Sequence, residues 1–304
     1  MKNNGGPAMD AMENARSETM QNLLLQTTIE GDPDDWNIGR FGLLKAFLAG
    51  LRDESGQPAF RVTARNRDQR GKPDSILSRL DESDFQQLWL FAVDVGDGLT
   101  EEDCAGIARF RRNGGTLLVT RDHMDLGSSV CTLAGVGAAH HFHTRNLDPD
   151  GSRHCIDDCD TTDISWPNYH SGANGNYQHV RPAGEPHAVL LDPESESGVI
   201  RYLPAHPHEG AVSAPADDPS SRTSATTGRD FNLAVAFEHS DDGGRAIAQS
   251  TFHHFADYNW DVAAGCPSFV SEAPGDDMRR FPEALESTRR YVRNVAFWLG
   301  GSGM

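Results

Sequence analysis

The chain has 304 residues, 37% of them hydrophobic, and a formal net charge of -18. That charge excludes the basic face a nucleic-acid binder needs, and no run of 18 apolar residues is present to span a membrane. At about 150 residues per domain the length suggests two domains, but α/β folds reach roughly 200–250 residues as one, and neither a linker nor an internal repeat divides this chain. Residues 1–19, low in apolar content, read as a flexible tail, and residues 20–304 as one domain. The polar, acidic opening lacks the basic start and apolar stretch of a secretory leader. The odd number of cysteines, five, fits reduced thiols in a cytoplasm.

From Asn22 the pattern is α/β. Leu23-Leu24-Leu25 leading to Ile29 reads as a buried strand, and Gly31-Asp32-Pro33-Asp34-Asp35 as a turn. Phe41, Leu44, Leu48 and Leu51 recur at helical spacing. Phe60–Ala64 reads as a second strand and Gln86–Asp94 as a third, apolar throughout and ending on an acid. Thr100 followed by Glu101, Glu102 and Asp103 predicts a helix N-terminus, with a stop at Asn113-Gly114-Gly115. Thr116–Thr120 is the next buried strand, and the strand–helix–strand spacing predicts a βαβ unit in a parallel sheet. Residues 148–229 are rich in Pro, Gly, Asp, Ser and His and read as a covering over the strand ends, with 213–227 as its most mobile loop. Phe231–Glu238 and Arg245–Phe252 read as strands. The last helix carries Leu285, Val292, Val295 and Leu299 on one face, and its Tyr291, Phe297 and Trp298 serve a homo-oligomer interface as readily as a core.

The 13 His concentrate in a few places. Arg121-Asp122-His123 follows a buried strand, where ligands of parallel sheets bind. In His140-His141-Phe142-His143, an extended backbone puts His141 and His143 on one face. His206-Pro207-His208-Glu209 offers two imidazoles on one side plus a carboxylate. Two imidazoles on one face suit a divalent ion, which makes His141, His143, His206 and His208 the expected metal ligands. In His253-His254 one ring packs and the other faces the cleft; we favour His254 for the cleft, since His253 continues the strand alternation. Trp166, Asn168, Tyr169, His170 and Asn174 sit on a Gly-rich loop suited to stacking on a sugar, with Arg121 beside them as a further substrate contact. Each of these segments also has an ordinary structural explanation as a cap, a packed loop or a solvated end. A closed zinc site at Cys155 and Cys159 lacks a second Cys pair. Neither a Gly-rich phosphate loop nor a G-x-S-x-G elbow is present, so no nucleotide cofactor is expected.

Three stretches in order carry a family resemblance: Gly114-Gly115-Thr116-Leu117-Leu118-Val119, then Gly135-Val136-Gly137 leading to His141–His143, then Gly244-Arg245-Ala246 through His254 to Ala296-Phe297-Trp298-Leu299-Gly300. Across roughly two-thirds of its length the chain resembles the ThuA-like (trehalose-utilisation) branch of the class I glutamine amidotransferase-like superfamily. The resemblance implies a flavodoxin-like three-layer sandwich, a carbohydrate link such as keto-sugar or disaccharide processing, and metal binding among relatives. The amidotransferases carry a Cys nucleophile on the turn after the strand ending here at Thr120. This chain has Arg121-Asp122-His123 there, so Cys-dependent glutamine amidotransfer is not expected. It also has Arg121 where the family usually carries a His.

These readings lead to a metal-assisted enzyme on a small polyhydroxylated substrate. Zn²⁺ is the expected ion, Asp122 and Glu209 are the candidate general bases, and His123 or His254 is the proton donor. The alternative is an amidotransferase-like module that binds a ligand or partner without catalysis.

Overall fold

A computed structural model describes residues 20–123, 125–133, 135–140, 170–227, 231–241 and 243–301; the expected tail at 1–19 lies outside them. The strands are β1 (Gln21–Thr27), β2 (Phe60–Arg65), β3 (Gln87–Phe91), β4 (Thr116–Thr120), β5 (Tyr177–His179), β6 (Arg181–Pro182), β7 (Tyr202–Pro204), β8 (Ser221–Thr226), β9 (Asn232–Phe237) and β10 (Ala246–Gln249). The helices are α1 (Gly42–Gly50), α2 (Glu101–Arg112), α3 (Asp257–Trp260), α4 (Asp277–Arg280) and α5 (Pro282–Leu299). None of the described helices is long and apolar enough to cross a membrane.

Eight strands form one sheet in the order β2-β1-β3-β4-β10-β9-β8-β6, and β5 pairs with β7 in a separate ribbon. β2, β1, β3, β4 and β10 run parallel. Their order is that of the flavodoxin-like doubly wound sheet, extended by the antiparallel β9, β8 and β6. The central strands are buried on both faces, which explains why β3 and β4 read as unbroken apolar runs. Alternate residues serve opposite layers. Leu25, Trp89, Leu118 and Ile247 stand side by side across the sheet and pack with Leu44 and Leu48 of α1 and with Tyr291, Val292 and Val295 of α5. Leu24, Leu88, Leu90, Leu117 and Val119 face the other way, against Ile107 and Phe110 of α2 and the 3₁₀ turn carrying Leu77 and Leu80. Helices therefore cover both faces, as in the expected three-layer sandwich.

Local signals behave as their chemistry requires. Thr100 Oγ1 accepts the Asp103 amide at 3.2 Å and Asp103 Oδ2 accepts the Thr100 amide at 3.0 Å, a closed capping box. Two expectations change. The stretch 213–227 contains β8, which pairs with β9; a Ser/Thr-rich segment gains a strand because its backbone groups meet a ladder. Tyr291, Phe297 and Trp298 are buried in the core, at 0%, 7% and 5% exposure, so they present no interface.

Candidate functional site

The site lies beyond the carboxyl ends of the adjacent strands β4 and β10. Asp122 and His123 leave β4, and the chain leaving β10 turns at Phe252–His254, a 3₁₀ turn that Thr251 caps through the His253 amide. The loop after β7 brings His206 and His208 across the top. It can approach because residue 210 is glycine: a Cβ there would lie 2.6 Å from the Asp122 carbonyl oxygen and 2.7 Å from that of Ser250. α3 is anchored by Asp257, whose carboxylate oxygens accept the Gly42 and Leu43 amides at 2.8 Å each.

Together these segments line a 150 Å³ cavity whose walls include Trp36, Asp122, His123, Leu126, Asn174, His206, His208, His253, Phe269, Val270 and Glu272. At its base Asp122 Oδ2 lies 3.0 Å from His123 Nδ1, 3.4 Å from His206 Nε2 and 3.6 Å from His253 Nε2. The His206 and His253 rings stack, with centroids 3.5 Å apart and planes 14° apart. Trp36 meets His253 edge-on at 4.7 Å.

The tautomers follow from a chain of hydrogen bonds. Asn259 Nδ2 donates to the Ala205 carbonyl at 3.0 Å, which accepts only. Asn259 Oδ1 is therefore the acceptor facing His253 Nδ1 at 3.0 Å, and His253 carries its proton there. The same Nδ2 donates to Asn174 Oδ1 at 2.9 Å, so that oxygen accepts from His206 Nδ1 at 2.9 Å. Both imidazoles thus present bare Nε2 lone pairs to a carboxylate. His206 Nε2 and Asp122 Oδ1 are buried without a hydrogen-bond partner among the described residues.

Electrostatics keep the rings neutral. Burial lowers His206 to about 4, although Asp122 pulls the other way, and burial with the neighbouring His206 pushes His253 well below its usual range. Burial also opposes the Asp122 anion, but His206 and His123 outweigh it and hold the carboxyl well below 3.8. One buried anion faces two unprotonated nitrogens. Among the described residues, Asp122, His206 and His253 offer ligand atoms that all lie within 4.8 Å of one another. Two donors on one tetrahedral zinc at about 2.0–2.2 Å are roughly 3.4 Å apart, close to the Asp122–His206 and Asp122–His253 separations.

The structure brings together Asp122, His123, Asn174, His206 and His208. Other expected residues sit elsewhere. Glu209 and His254 are fully buried outside the cavity lining. Glu209 Oε1 accepts from His254 Nε2 at 2.8 Å and from Gln178 at 2.5 Å. On the other side of the ring, Gln249 Nε2 donates to His254 Nδ1 at 2.7 Å, and Tyr291 donates to Gln249 Oε1 at 2.6 Å. A general base or acid must reach the substrate, so Glu209 and His254 brace the loop instead. Arg121 is also fully buried, with its guanidinium on the Asp122 carbonyl and Cys131 Sγ, outside the lining. His170 is half-buried and does not line the cavity. His141, His143, Trp166, Asn168 and Tyr169 lie outside the described residues.

His253, Asn259, Trp36 and Glu272 escaped the sequence reading. His253 was the nearest to being found. β10 ends at Gln249, so strand alternation, which pointed to His254, does not extend to the pair.

No family model and no curated protein matches the chain. Solved structures similar to it include a protein described as ThuA-like from Bacteroides uniformis, at 12% identity and TM-score 0.46, covering 97% of this chain and 95% of that one. A second, described as ThuA-like from Parabacteroides merdae, has 15% identity and TM-score 0.38, covering 86% and 99%. A protein described as cytoplasmic, from Salmonella typhimurium, has 10% identity and TM-score 0.47, covering 90% and 99%.

Proposed function

We propose that the chain is a metal-assisted enzyme acting on a small, polyhydroxylated, sugar-like substrate in the cytoplasm. The observation that carries this reading is the convergence of Asp122 Oδ2, His206 Nε2 and His253 Nε2, with both imidazole protons committed to asparagine oxygens on the far side. A neutral imidazole held by a hydrogen bond from its other nitrogen is the arrangement of a ligating His. Two such rings and a carboxylate suit Zn²⁺ with an open position.

Such an ion polarises a carbonyl or lowers the pKa of a bound water. The chain supplies the rest. His123, oriented by Asp122, carries a proton at the cavity wall. Trp36, Leu126, Phe269 and Val270 form an apolar side opposite the polar His208, Glu272 and Asn174, matching the two-sided surface of a sugar ring. At 150 Å³ the cavity falls below the ~300–1,000 Å³ of drug-sized pockets, so it suits a single small unit. The ThuA-like resemblance supports a carbohydrate, and the free thiols of Cys104, Cys131 and Cys266 suit a reducing compartment.

The test is metal removal. We expect purified protein to hold Zn²⁺, chelation to abolish turnover on a panel of mono-, di- and keto-saccharides, and added Zn²⁺ to restore it. Saturating Zn²⁺ at a thousand times Kd adds about 4 kcal/mol of stability, or roughly ten degrees in Tm for a domain of this size. A Tm indifferent to both Zn²⁺ and chelator would overturn the metal reading. Bound metal without turnover on any sugar would make the chain a binding module.

A further inference from the structure

Above the Asp122, His206 and His253 cluster a second group of ligand-type side chains lines the same cavity. His208 Nε2 lies 2.9 Å from Glu272 Oε1. The His123 ring lies 4.8 Å from the His208 ring, tilted by 30°, and the His206 and His208 rings are 5.7 Å apart. We infer that His123, His208 and Glu272 form a second divalent-cation position at the cavity mouth, beside the inner one. This rests on the proposed inner metal site and extends it.

Three observations carry the inference. Two imidazoles on one ion, each with its nitrogen about 2.0–2.1 Å away, have ring centres roughly 5 Å apart, close to the His123–His208 separation. His123 turns Nδ1 towards Asp122 Oδ2 at 3.0 Å, which makes Nε2 its ligand nitrogen in a carboxylate–histidine–metal arrangement. Asp122 is common to both positions. It faces the imidazoles through Oδ2, while Oδ1 is buried without a hydrogen-bond partner among the described residues. Charge agrees: burial opposes the Glu272 anion, but the His208 hydrogen bond outweighs it and lowers the carboxyl below its usual range. An ion between Glu272 and His208 replaces a half-exposed pair that by itself is worth about 0–1 kcal/mol.

A pair of ions about 3.5–4 Å apart holds both the attacking and the leaving oxygen of a displacement. A site of this kind suits hydrolysis or rearrangement at one carbon of a polyol, with the inner ion on the nucleophile and the outer one on a substrate oxygen.

The experiment is a stoichiometric titration of metal-free protein with Zn²⁺, repeated with Co²⁺ to read the ligand field. We expect two ions per chain in the wild type and one in the double variant His208→Ala/Glu272→Gln, with the inner affinity changed by less than about tenfold. Both substituted side chains lie at the cavity mouth, and circular dichroism with the Tm of the metal-free variant confirms that it is folded. One ion in the wild type, or two in the double variant, overturns the outer position and leaves the inner one standing. No ion in the wild type overturns both.

Discussion

Asp122→Asn is expected to separate metal binding from folding, because the two make opposite demands on this position. The variant should lose Zn²⁺ affinity by more than about 100-fold, since even changes outside the ligand shell cost roughly 10–100-fold. Without metal, it should be as stable as the wild type or more so. In the wild type Asp122 is a fully buried anion whose Oδ2 faces the lone pairs of His206 and His253 at 3.4 and 3.6 Å. A carboxamide removes the charge and can turn an N–H towards those nitrogens, relieving groups whose lack of a partner costs about 1–3 kcal/mol. Its oxygen can still accept from His123 Nδ1. Calorimetric Zn²⁺ titration and urea unfolding of the metal-free proteins check the two halves separately. A metal-free variant that unfolds at markedly lower urea would show that Asp122 is retained for structure.

The second large effect is acid sensitivity of the metal-free protein. His206 falls from 6.5 in the unfolded chain to about 4 in the fold, driven mainly by burial. Between those values the unfolded state binds the proton that the folded state refuses, so stability rises with pH across the window and is lost as pH falls through it. His206 alone accounts for about 3 kcal/mol between pH 6.5 and pH 4. His253, displaced in the same direction by burial and by His206, steepens the loss. Glu209 works the other way: burial raises its carboxyl above 4.5 despite His254 and Gln178, so it favours the fold slightly more as pH falls. Urea midpoints at pH 7, 5.5 and 4.5 should drop steadily, and His206→Gln should flatten the profile. A wild-type profile already flat over this range would mean that the His206 ring is protonated in the fold.

Much of the architecture was legible because the relevant forces are local or repetitive. β3 and β4 announced themselves through Leu88–Phe91 and Leu117–Val119, since a strand buried on both faces admits few polar residues. Thr100 and Asp103 declared a helix start because the capping box needs just those side chains at that spacing. Asp122 and the His206/His208 pair were legible for a related reason: one lies just past a buried strand, and the other alternates on a short loop.

The remainder depended on distance in sequence. Asn174 and Asn259, which set both tautomers, are 85 residues apart, and nothing in either neighbourhood marks them. Glu272 stands in an irregular segment, and Trp36 reaches His253 only through the fold. His254 and Glu209 misled for a different reason. An imidazole beside a carboxylate has the chemistry of a catalytic pair whether it lines a cavity or braces a loop beneath one, and burial alone separates the two.

The central claim is that Asp122, His206 and His253 hold a metal ion. Crystals grown with Zn²⁺ and measured on both sides of the zinc absorption edge test it most directly. The account predicts an anomalous peak within about 2.0–2.2 Å of Asp122 Oδ2, His206 Nε2 and His253 Nε2. An anomalous map with no peak among these three atoms, in protein saturated with Zn²⁺, would contradict it.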